Sequence, residues 1–417
     1  MSRNKIMINM LLLTMLVGIA LIPAVSAATN NENSDIMNNI DFDKTSLKFN
    51  EILDNFETVT TNTTAFLNDI PDGQVTLKIS GQKFQLDLQE IDIVSDDAII
   101  ITENGSRMPA PKISTYKGTV VGKENSSVLL TVADDVIIGQ INVGDKSYFI
   151  EQTPITYNEK IVHVVYSSDA IKDRKILVYN TDGDDVKAAQ EGLSTSSLDP
   201  AQISTLLLSL PVVDIMACYD EEFDLEFSNP NAEMQNILAG VESIFSLANV
   251  DLNIKSYTYY STIPNDEACE VLSDFASIAA NDRDSTNSDL AFLFTGKEMT
   301  GSDIGCARVF NGNSGQAYAV GQMVSAGYIN SYQATSLQKI ILTAHELGHN
   351  FGATHDEAYS WDSGLSHYYT VMWTPFMGSI FPNYMQDEFS NLNDHGDSSH
   401  NNILYIVANK NTIAGFQ

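Results

Sequence analysis

Residues 345–356 read His-Glu-Leu-Gly-His-Asn-Phe-Gly-Ala-Thr-His-Asp. His345 and His349 are four residues apart, so on a helix they lie on one face, at the spacing that lets two imidazoles bind one zinc ion. Gly352 allows the chain to leave the helix with a positive φ, and the turn then presents His355 as a third ligand. Three histidines leave a fourth position for water, which is typical of a catalytic zinc site.

Glu346 and the residues before the motif support the same prediction. Glu346 projects beside the histidine pair and can hold a water molecule without being a ligand itself. No proline interrupts residues 336–351, so a helix can run through the motif. Small or apolar side chains recur at helical spacing upstream, at Leu337, Ile340, Ile341, Ala344 and Gly348.

This arrangement resembles the metzincin zinc endopeptidases, and an aspartate directly after the third histidine, here Asp356, is similar to their adamalysin or reprolysin branch. The resemblance implies that Asp356 is structural and that a methionine in a tight turn lies beneath the three histidines. Met372, within residues 370–373, is the best match to that Met-turn, and Met377 and Met385 are the alternatives.

Other stretches are similar to the same family in the same order, so the resemblance covers residues 205–417. It implies a catalytic domain with a mixed, mostly parallel twisted sheet, an active-site helix and the Met-turn. Asp289 falls where the resemblance would allow a ligand of a structural calcium ion. Residues 315–321 resemble the edge strand that pairs with extended substrate, which implies substrate contacts at Ala317, Tyr318, Ala319 and Val320.

Residues 1–27 have the features of an export signal. Arg3 and Lys5 form a short basic region, and residues 10–22 form an apolar run that is too short to span a bilayer comfortably. The small residues that a signal peptidase needs precede the expected cleavage site after Ala27. We therefore expect a secreted, extracellular or cell-surface protein, and an uncleaved anchor is the alternative. No later run reaches about 18 apolar residues, so we expect no membrane contact after signal removal.

The 417-residue chain is strongly acidic. It has 54 Asp and Glu against 22 Lys and Arg, a formal net charge of −32. A surface of this charge repels phosphate, which excludes general nucleic-acid binding. Because the acidic residues are spread along the chain, the composition favours a strongly solvated surface over a function that collects cations.

The N-terminal half has the pattern of an antiparallel β domain. Apolar residues alternate with polar ones through residues 74–88, which predicts a hairpin, and strand patterns continue to about residue 180. Residues 28–181 therefore form a predicted β-rich domain, and residues 116–120 give it a resemblance to the propeptide of reprolysin-type zymogens. Residues 182–204, rich in Asp, Gly, Ser and Thr, form a predicted linker that a processing cut would open. The sequence therefore predicts a two-domain chain of the α+β and α/β fold classes, in which the β-rich domain precedes the catalytic domain.

Cysteine usage leaves several possibilities open. Three cysteines permit one disulfide and one free thiol, with three possible pairings: Cys218, Cys269 and Cys306. Many metzincin propeptides hold their enzyme inactive with a cysteine thiolate on zinc, but the N-terminal half of this chain contains no cysteine. Our hypothesis is that this propeptide is an intramolecular inhibitor, acting through steric cover or a carboxylate.

Together these features predict hydrolysis of peptide bonds in protein or peptide substrates, with one catalytic zinc ion. His345, His349 and His355 would hold the metal, and Glu346 would take a proton from water and pass it to the leaving amine. One rival is a catalytically dead binding module, which would not need Glu346. The other is a zinc enzyme that acts on a non-protein substrate, which would need a closed pocket rather than an open cleft.

Overall fold

A computed structural model describes most of the chain after the first 34 residues. The predicted signal at residues 1–27, the predicted linker at residues 182–204 and Met377 lie outside the described part. None of the described helices is both long and apolar enough to cross a bilayer. The described residues are 35–172, 206, 208–301, 303–324, 334–374 and 383–416.

The N-terminal part is built almost entirely of strands, as its alternating sequence predicts. Val75, Leu77 and Ile79 are buried on one face, and the tight turn after them contains Ser80 and Gly81, both with positive φ. The strands before residue 172 are β1 (Met37–Asn39), β2 (Glu57–Thr61), β3 (Gln74–Ile79), β4 (Gln82–Ile91), β5 (Val94–Ile101), β6 (Arg107–Pro109), β7 (Ser114–Val120), β8 (Ser126–Val132), β9 (Ile137–Val143), β10 (Lys146–Tyr157) and β11 (Lys160–Ser167).

Nine of these strands form one antiparallel sheet, in the order β1-β2-β11-β10-β9-β8-β7-β4-β3. The hairpin predicted over residues 74–88 is confirmed as the pair β3–β4. One face of this sheet packs around its own apolar core, which includes Leu77, Leu86 and Leu130.

The C-terminal part alternates strands and helices. Its strands are β12 (Val212–Asp220), β13 (Asp251–Tyr260), β14 (Leu290–Thr295), β15 (Gly305–Ala307), β16 (Tyr318–Gln322), β17 (Ser360–Ser363), β18 (Ser366–Tyr369) and β19 (Asn383–Met385). The helices of the described residues are α1 (Thr63–Asp69), α2 (Glu221–Glu226), α3 (Pro230–Phe245), α4 (Ala268–Thr286), α5 (Ser336–Asn350) and α6 (Asn402–Ile413).

A second, seven-stranded sheet runs in the order β15-β16-β14-β12-β13-β5-β6. The strands from β16 to β5 are parallel to one another, and both ends of the sheet are antiparallel, so the prediction of a mixed, mostly parallel sheet is confirmed. The strands β12 and β14 are buried on both faces, as expected for a sheet covered by helices on its two sides. The third sheet is small and consists of β17, β18 and β19.

Two strands of the N-terminal half belong to this second sheet. β5 pairs in parallel with β13, and β6 pairs with β5. The described residues from Asp35 onward form one compact unit. The two predicted domains therefore share a sheet, while their predicted boundaries stay a prediction.

The prediction that residues 315–321 form the edge strand is wrong. β16 has β14 on one side and β15 on the other, so its backbone hydrogen bonds are used within the sheet. The four residues predicted to contact substrate are buried there: Ala317, Tyr318, Ala319 and Val320. The edge is β15, and no described strand pairs with its outer side. Three residues with a ten-residue loop after them give too little pattern for sequence to identify this strand.

The helix that carries the metal-binding motif begins with a complete capping box. The Thr335 hydroxyl accepts from the Gln338 N–H, and the Gln338 side chain accepts from the Thr335 N–H. The helix ends at Asn350, just before Gly352, as the motif predicts. Nearly all of its side chains are buried, because the second sheet and α3 pack against it and Glu151 of the N-terminal sheet contacts its first turn.

A disulfide joins Cys269 at the start of α4 to Cys306 in β15. Of the three pairings that the sequence leaves open, this is the one formed, and Cys218 is a buried free thiol in β12. The bond closes a loop across 37 positions and attaches the edge strand to a helix.

We expect the double variant Cys269→Ser, Cys306→Ser to lower the free energy of unfolding by about 2–4 kcal/mol, because the reduced unfolded chain gains the entropy of that loop. Urea unfolding monitored by circular dichroism measures the loss. Thiol labelling in denaturant is the control: one cysteine should react before reduction and three after it. Three reactive thiols before reduction would contradict the assignment.

Candidate metal centre

Three imidazole rings meet at the end of α5. The Nε2 atom of His355 lies 3.1 Å from Nε2 of His345 and 3.0 Å from Nε2 of His349. The other ring nitrogen of each helical histidine is held by a backbone carbonyl: His345 Nδ1 by Val371 at 2.8 Å, and His349 Nδ1 by Ala353 at 3.0 Å. A carbonyl only accepts, so each Nδ1 carries the proton and each Nε2 presents its lone pair to the common point.

Burial keeps these rings neutral. It lowers the pKa of His345 to about 4 and that of His355 to about 3, and it lowers the pKa of His349 well below its usual range. Neutral imidazole is the form that binds metal. A single N–H could bridge only two of these nitrogens, whereas a cation binds all three. Ligand atoms around a tetrahedral zinc ion lie about 3.3 Å apart, close to the observed spacing, so the residues present fit zinc.

Gly352 forms the turn that brings His355 to the other two histidines. Its φ is +88°, as predicted, and its N–H donates to the His349 carbonyl. A Cβ atom at this position would lie 2.7 Å from Asn409 Nδ2, which donates to the Phe351 carbonyl at the end of the helix. Glycine is required here for its backbone conformation and for this close approach.

Glu346 has the environment of a reactive carboxylate. It is fully buried, and neither oxygen has a hydrogen-bond partner among the described residues. Burial, reinforced by Asp303, raises the pKa of Glu346 well above its usual range. A buried carboxyl group without a partner is costly, and such groups concentrate at functional sites.

Gly305 leaves room for this carboxylate. A Cβ atom at Gly305, in the edge strand β15, would lie 2.4 Å from Glu346 Oε1 and 2.9 Å from Leu342 Cδ1. The edge strand therefore passes directly over the carboxylate. Gly305 was not predicted as a site residue, because a single glycine in a three-residue strand gives no signal by itself.

Met372 lies in a tight turn below the helix. The Trp373 N–H donates to the Thr370 carbonyl at 2.9 Å, which closes the turn. The Met372 side chain is buried, and its sulfur would lie 2.8 Å from a Cβ atom placed on Gly348, one residue before His349. The same turn supplies the Val371 carbonyl that binds His345. This placement agrees with the turn predicted around Met372, although the role of the methionine stays a prediction. Met385 lies in β19.

Glu357, the residue after Asp356, attaches the turn that follows the third histidine to the rest of the domain, and the structural role of Asp356 stays a prediction. Asp356 is exposed in the short 3₁₀ helix His355–Glu357. The Glu357 carboxylate instead accepts the Asn401 N–H and the Tyr405 hydroxyl, both at 3.1 Å, which attaches this turn to α6. Both acids are adjacent in sequence, and only the direction of the turn distinguishes them.

A second cluster with metal-binding side chains lies on the surface loop after β19. It contains Glu388, Asp394 and His395, and the His395 ring stacks on Trp361 with 3.6 Å between centroids. Nδ1 of His395 bonds to Glu388, and its Nε2 lies 3.6 Å from Asp394. Each of the two acids thus contacts a different nitrogen of the His395 ring. This arrangement fits an imidazole with two acidic partners better than a metal site.

Asp289, named from sequence as a possible calcium ligand, is buried at the start of β14. Its carboxylate accepts the Asp214 N–H at 2.9 Å, and burial raises its pKa to about 6. Calcium at this residue stays a prediction.

Residues 209–404 match the family model described as Reprolysin_5, metallo-peptidase family M12. This part of the chain is a reprolysin-like metallopeptidase domain. The site of this metallopeptidase domain is built from α5, the turn after it and the Met372 turn. No curated protein matches the chain by sequence.

Solved structures that resemble the chain include a metallopeptidase. One, described as "Structure of a chaperone-substrate complex", is 16% identical with a TM-score of 0.37; the match covers 50% of this chain and 35% of that one. Crystalline metalloproteinase-II from Bacteroides fragilis is 13% identical, with a TM-score of 0.37, over 83% of this chain and 92% of that one. The chain thus spans about a third of the first structure's length.

We expect Gly305→Ala to lower peptidase activity by about 100-fold with zinc content unchanged, because the added methyl group displaces the Glu346 carboxylate by up to about 1 Å. Activity on a quenched fluorescent peptide and metal analysis measure the two effects. Gly315→Ala is the matched control, since the Cβ atom would have its nearest contact at 3.4 Å and the backbone is unstrained. Equal activity of the two variants would contradict the proposed crowding.

We expect Asp289→Asn to raise the free energy of unfolding at pH 7 by about 1–3 kcal/mol. The pKa of Asp289 rises from 3.8 to about 6 on folding, so the native state loses stability as the pH rises through that window. The advantage of the variant should therefore vanish below about pH 4. Urea unfolding at several pH values with chelator tests this; a variant that is less stable only when calcium is added would instead indicate a calcium site.

Proposed function

We propose that this chain is a secreted zinc endopeptidase, made as a proenzyme, that hydrolyses peptide bonds in extracellular proteins. The observation that carries the proposal is the convergence of three neutral imidazole Nε2 atoms next to a buried carboxylate without a partner. Neither the histidines nor Glu346 would be arranged in this way for packing alone, because burying these groups is costly.

His345, His349 and His355 would hold the zinc ion, which when bound supplies Lewis-acid chemistry for hydrolysis. Glu346 is the proton-transfer group. Its raised pKa makes the carboxylate a stronger base than an exposed glutamate, so it can take the proton of the attacking water. The same Oε atoms would then return this proton to the leaving amine, which restores the carboxylate for the next cycle.

A substrate would lie extended along the outer side of β15. This strand is the edge of the second sheet, and Gly305 within it passes over Glu346. Backbone pairing with an edge strand binds peptides without regard to sequence and places the scissile bond beside the carboxylate. Selectivity would come from a pocket walled by residues after Met372, of which residues 375–382 lie outside the described part.

Export and a proenzyme state complete the proposal. The signal-like residues 1–27 and the disulfide Cys269–Cys306 support an oxidising destination outside the cell. Since the N-terminal half has no cysteine, inhibition would come from steric cover or a carboxylate. The intact precursor should therefore be weakly active, and full activity before any cut would show that this half is no inhibitor.

The two rival functions make different predictions for the same site. A dead binding module would hold zinc but show no turnover with or without Glu346. A zinc enzyme for a small non-protein substrate would not digest proteins. The edge strand beside Glu346 favours an extended peptide over a small substrate, and the buried Glu346, which a binding module would not need, argues against the first rival.

We expect digestion of casein by the processed enzyme to be abolished by a chelator and restored by zinc. Glu346→Ala should lower the rate by about 100-fold or more while the protein stays folded and its zinc content stays unchanged. Glu270→Ala, which removes an exposed carboxylate of α4, is the control and should keep full activity. A folded, zinc-loaded wild type that cleaves neither casein nor a peptide library after processing would overturn the proposal.

A further inference from the structure

Lys339, in the first turns of the active-site helix α5, is fully buried between two carboxylates from different parts of the chain. Its Nζ lies 2.5 Å from Glu233 Oε1 in α3 and 3.2 Å from Glu151 Oε2 in β10. Glu233 belongs to the metallopeptidase domain, whereas Glu151 comes from the N-terminal sheet. Burial alone would lower the pKa of Lys339, but the two carboxylates raise it above its usual value.

Glu151 also holds the beginning of α5. Its Oε1 accepts the Ser336 N–H at 2.8 Å and the hydroxyl of Tyr166 from β11. The first N–H groups of a helix have no partner within the helix and carry its positive dipole end, so a carboxylate is favoured there. One carboxylate of the N-terminal sheet thus pairs with the helix cation and caps the helix.

The residues after Glu151 extend this contact to α3. Gln152 and Asn229 exchange hydrogen bonds: the Asn229 N–H donates to Gln152 Oε1 at 2.8 Å, and Gln152 Nε2 donates to the Asn229 carbonyl at 3.0 Å. Gln152 Nε2 also donates to Glu233, and the Ser228 hydroxyl donates to the Thr153 carbonyl at 2.7 Å. The polar groups of this buried layer are paired across the two halves.

Backbone pairing joins the halves a second time. β5 pairs with the side of β13 that does not pair with β12, and the Ile254 N–H donates to the Ile93 carbonyl at 2.8 Å. Ile93 and Leu129 belong to the apolar core of the metallopeptidase domain. At the rim, Lys117 pairs with Glu242 at 2.6 Å. Separation would therefore expose a strand edge and apolar side chains and leave Lys339 with one counter-charge.

We propose that residues 35–172 stay bound to residues 208–416 after the chain is cut between them, as a non-covalent second subunit anchored by Glu151. The partner of this surface is the chain's own N-terminal half. The inference concerns binding between the two halves and does not require the proposed peptidase activity.

The test is to cut the chain without letting it digest itself. A recognition sequence for a specific protease is inserted within residues 182–204 of the Glu346→Ala variant, the folded protein is cut, and the fragments are run on size-exclusion chromatography. We expect both fragments to co-elute at the position of the uncut chain in about 0.15 M and in about 1 M salt, because buried charges are little screened. Separate elution of the fragments, with the C-terminal one folded, would overturn the proposal.

The anchoring role of Glu151 is tested with Glu151→Gln, which keeps an acceptor for the Ser336 N–H but removes the charge beside Lys339. We expect the dissociation constant of the cut halves to rise at least about tenfold. Glu124→Gln, at an exposed turn of the same sheet, is the matched control and should leave it unchanged. Equal dissociation constants for the two variants would show that Glu151 is not the anchor.

A double-mutant cycle covers the case in which Glu151→Gln does not fold. Lys339→Met combined with Glu151→Gln removes the cation and one of its carboxylates together. We expect Glu151→Gln to weaken binding between the cut halves much less in the Lys339→Met background than in the wild type. An unchanged effect in that background would show that the two side chains do not act through their contact.

Discussion

Three imidazoles must stay neutral and direct their lone pairs at one point inside the protein, and this requirement accounts for the construction around α5. Burial lowers the pKa of each ring, and carbonyl groups of Val371 and Ala353 hold the protons on the far nitrogens. Those carbonyls come from two different turns. The turn at Gly352 and the turn at Met372 are therefore parts of the metal site. The first presents the ligand His355, and the second supplies no ligand.

The same burial creates a second requirement at the other end of the helix. Because α5 lies inside the molecule, its first N–H groups and Lys339 need buried partners. Glu151 and Glu233 provide them, and Glu151 comes from the N-terminal sheet. The helix that carries the metal ligands is consequently stabilised by a strand far from it in sequence.

Local patterns predicted much of the fold and most of the site. The dodecamer indicated the three imidazoles, Glu346 and the positive φ of Gly352, because helical spacing brings His345 and His349 together and a glycine turn can return His355 to them. Alternation gave the hairpin β3–β4 in the same way. The edge strand, by contrast, is β15 and not residues 315–321, which were named for their resemblance to a known edge strand. Periodicity could not correct this, because it reports burial and says nothing about which strand lies outside another. The contact of Glu357 with α6 was not predicted for a related reason: only the folded chain shows which side chain of a turn faces a neighbouring helix.

The sequence by itself determined which atoms can bind a metal and which helix presents them, since these depend on spacings of three and four residues. Only the tertiary structure decided what lies over and behind them: Gly305 above Glu346, Val371 behind His345, Glu151 beneath Lys339, and Cys269 joined to Cys306. Each of these contacts joins segments whose separation in sequence carries no periodic signal. They form where the folded chain places a partner, or a space, beside a buried group, and no local pattern records that placement.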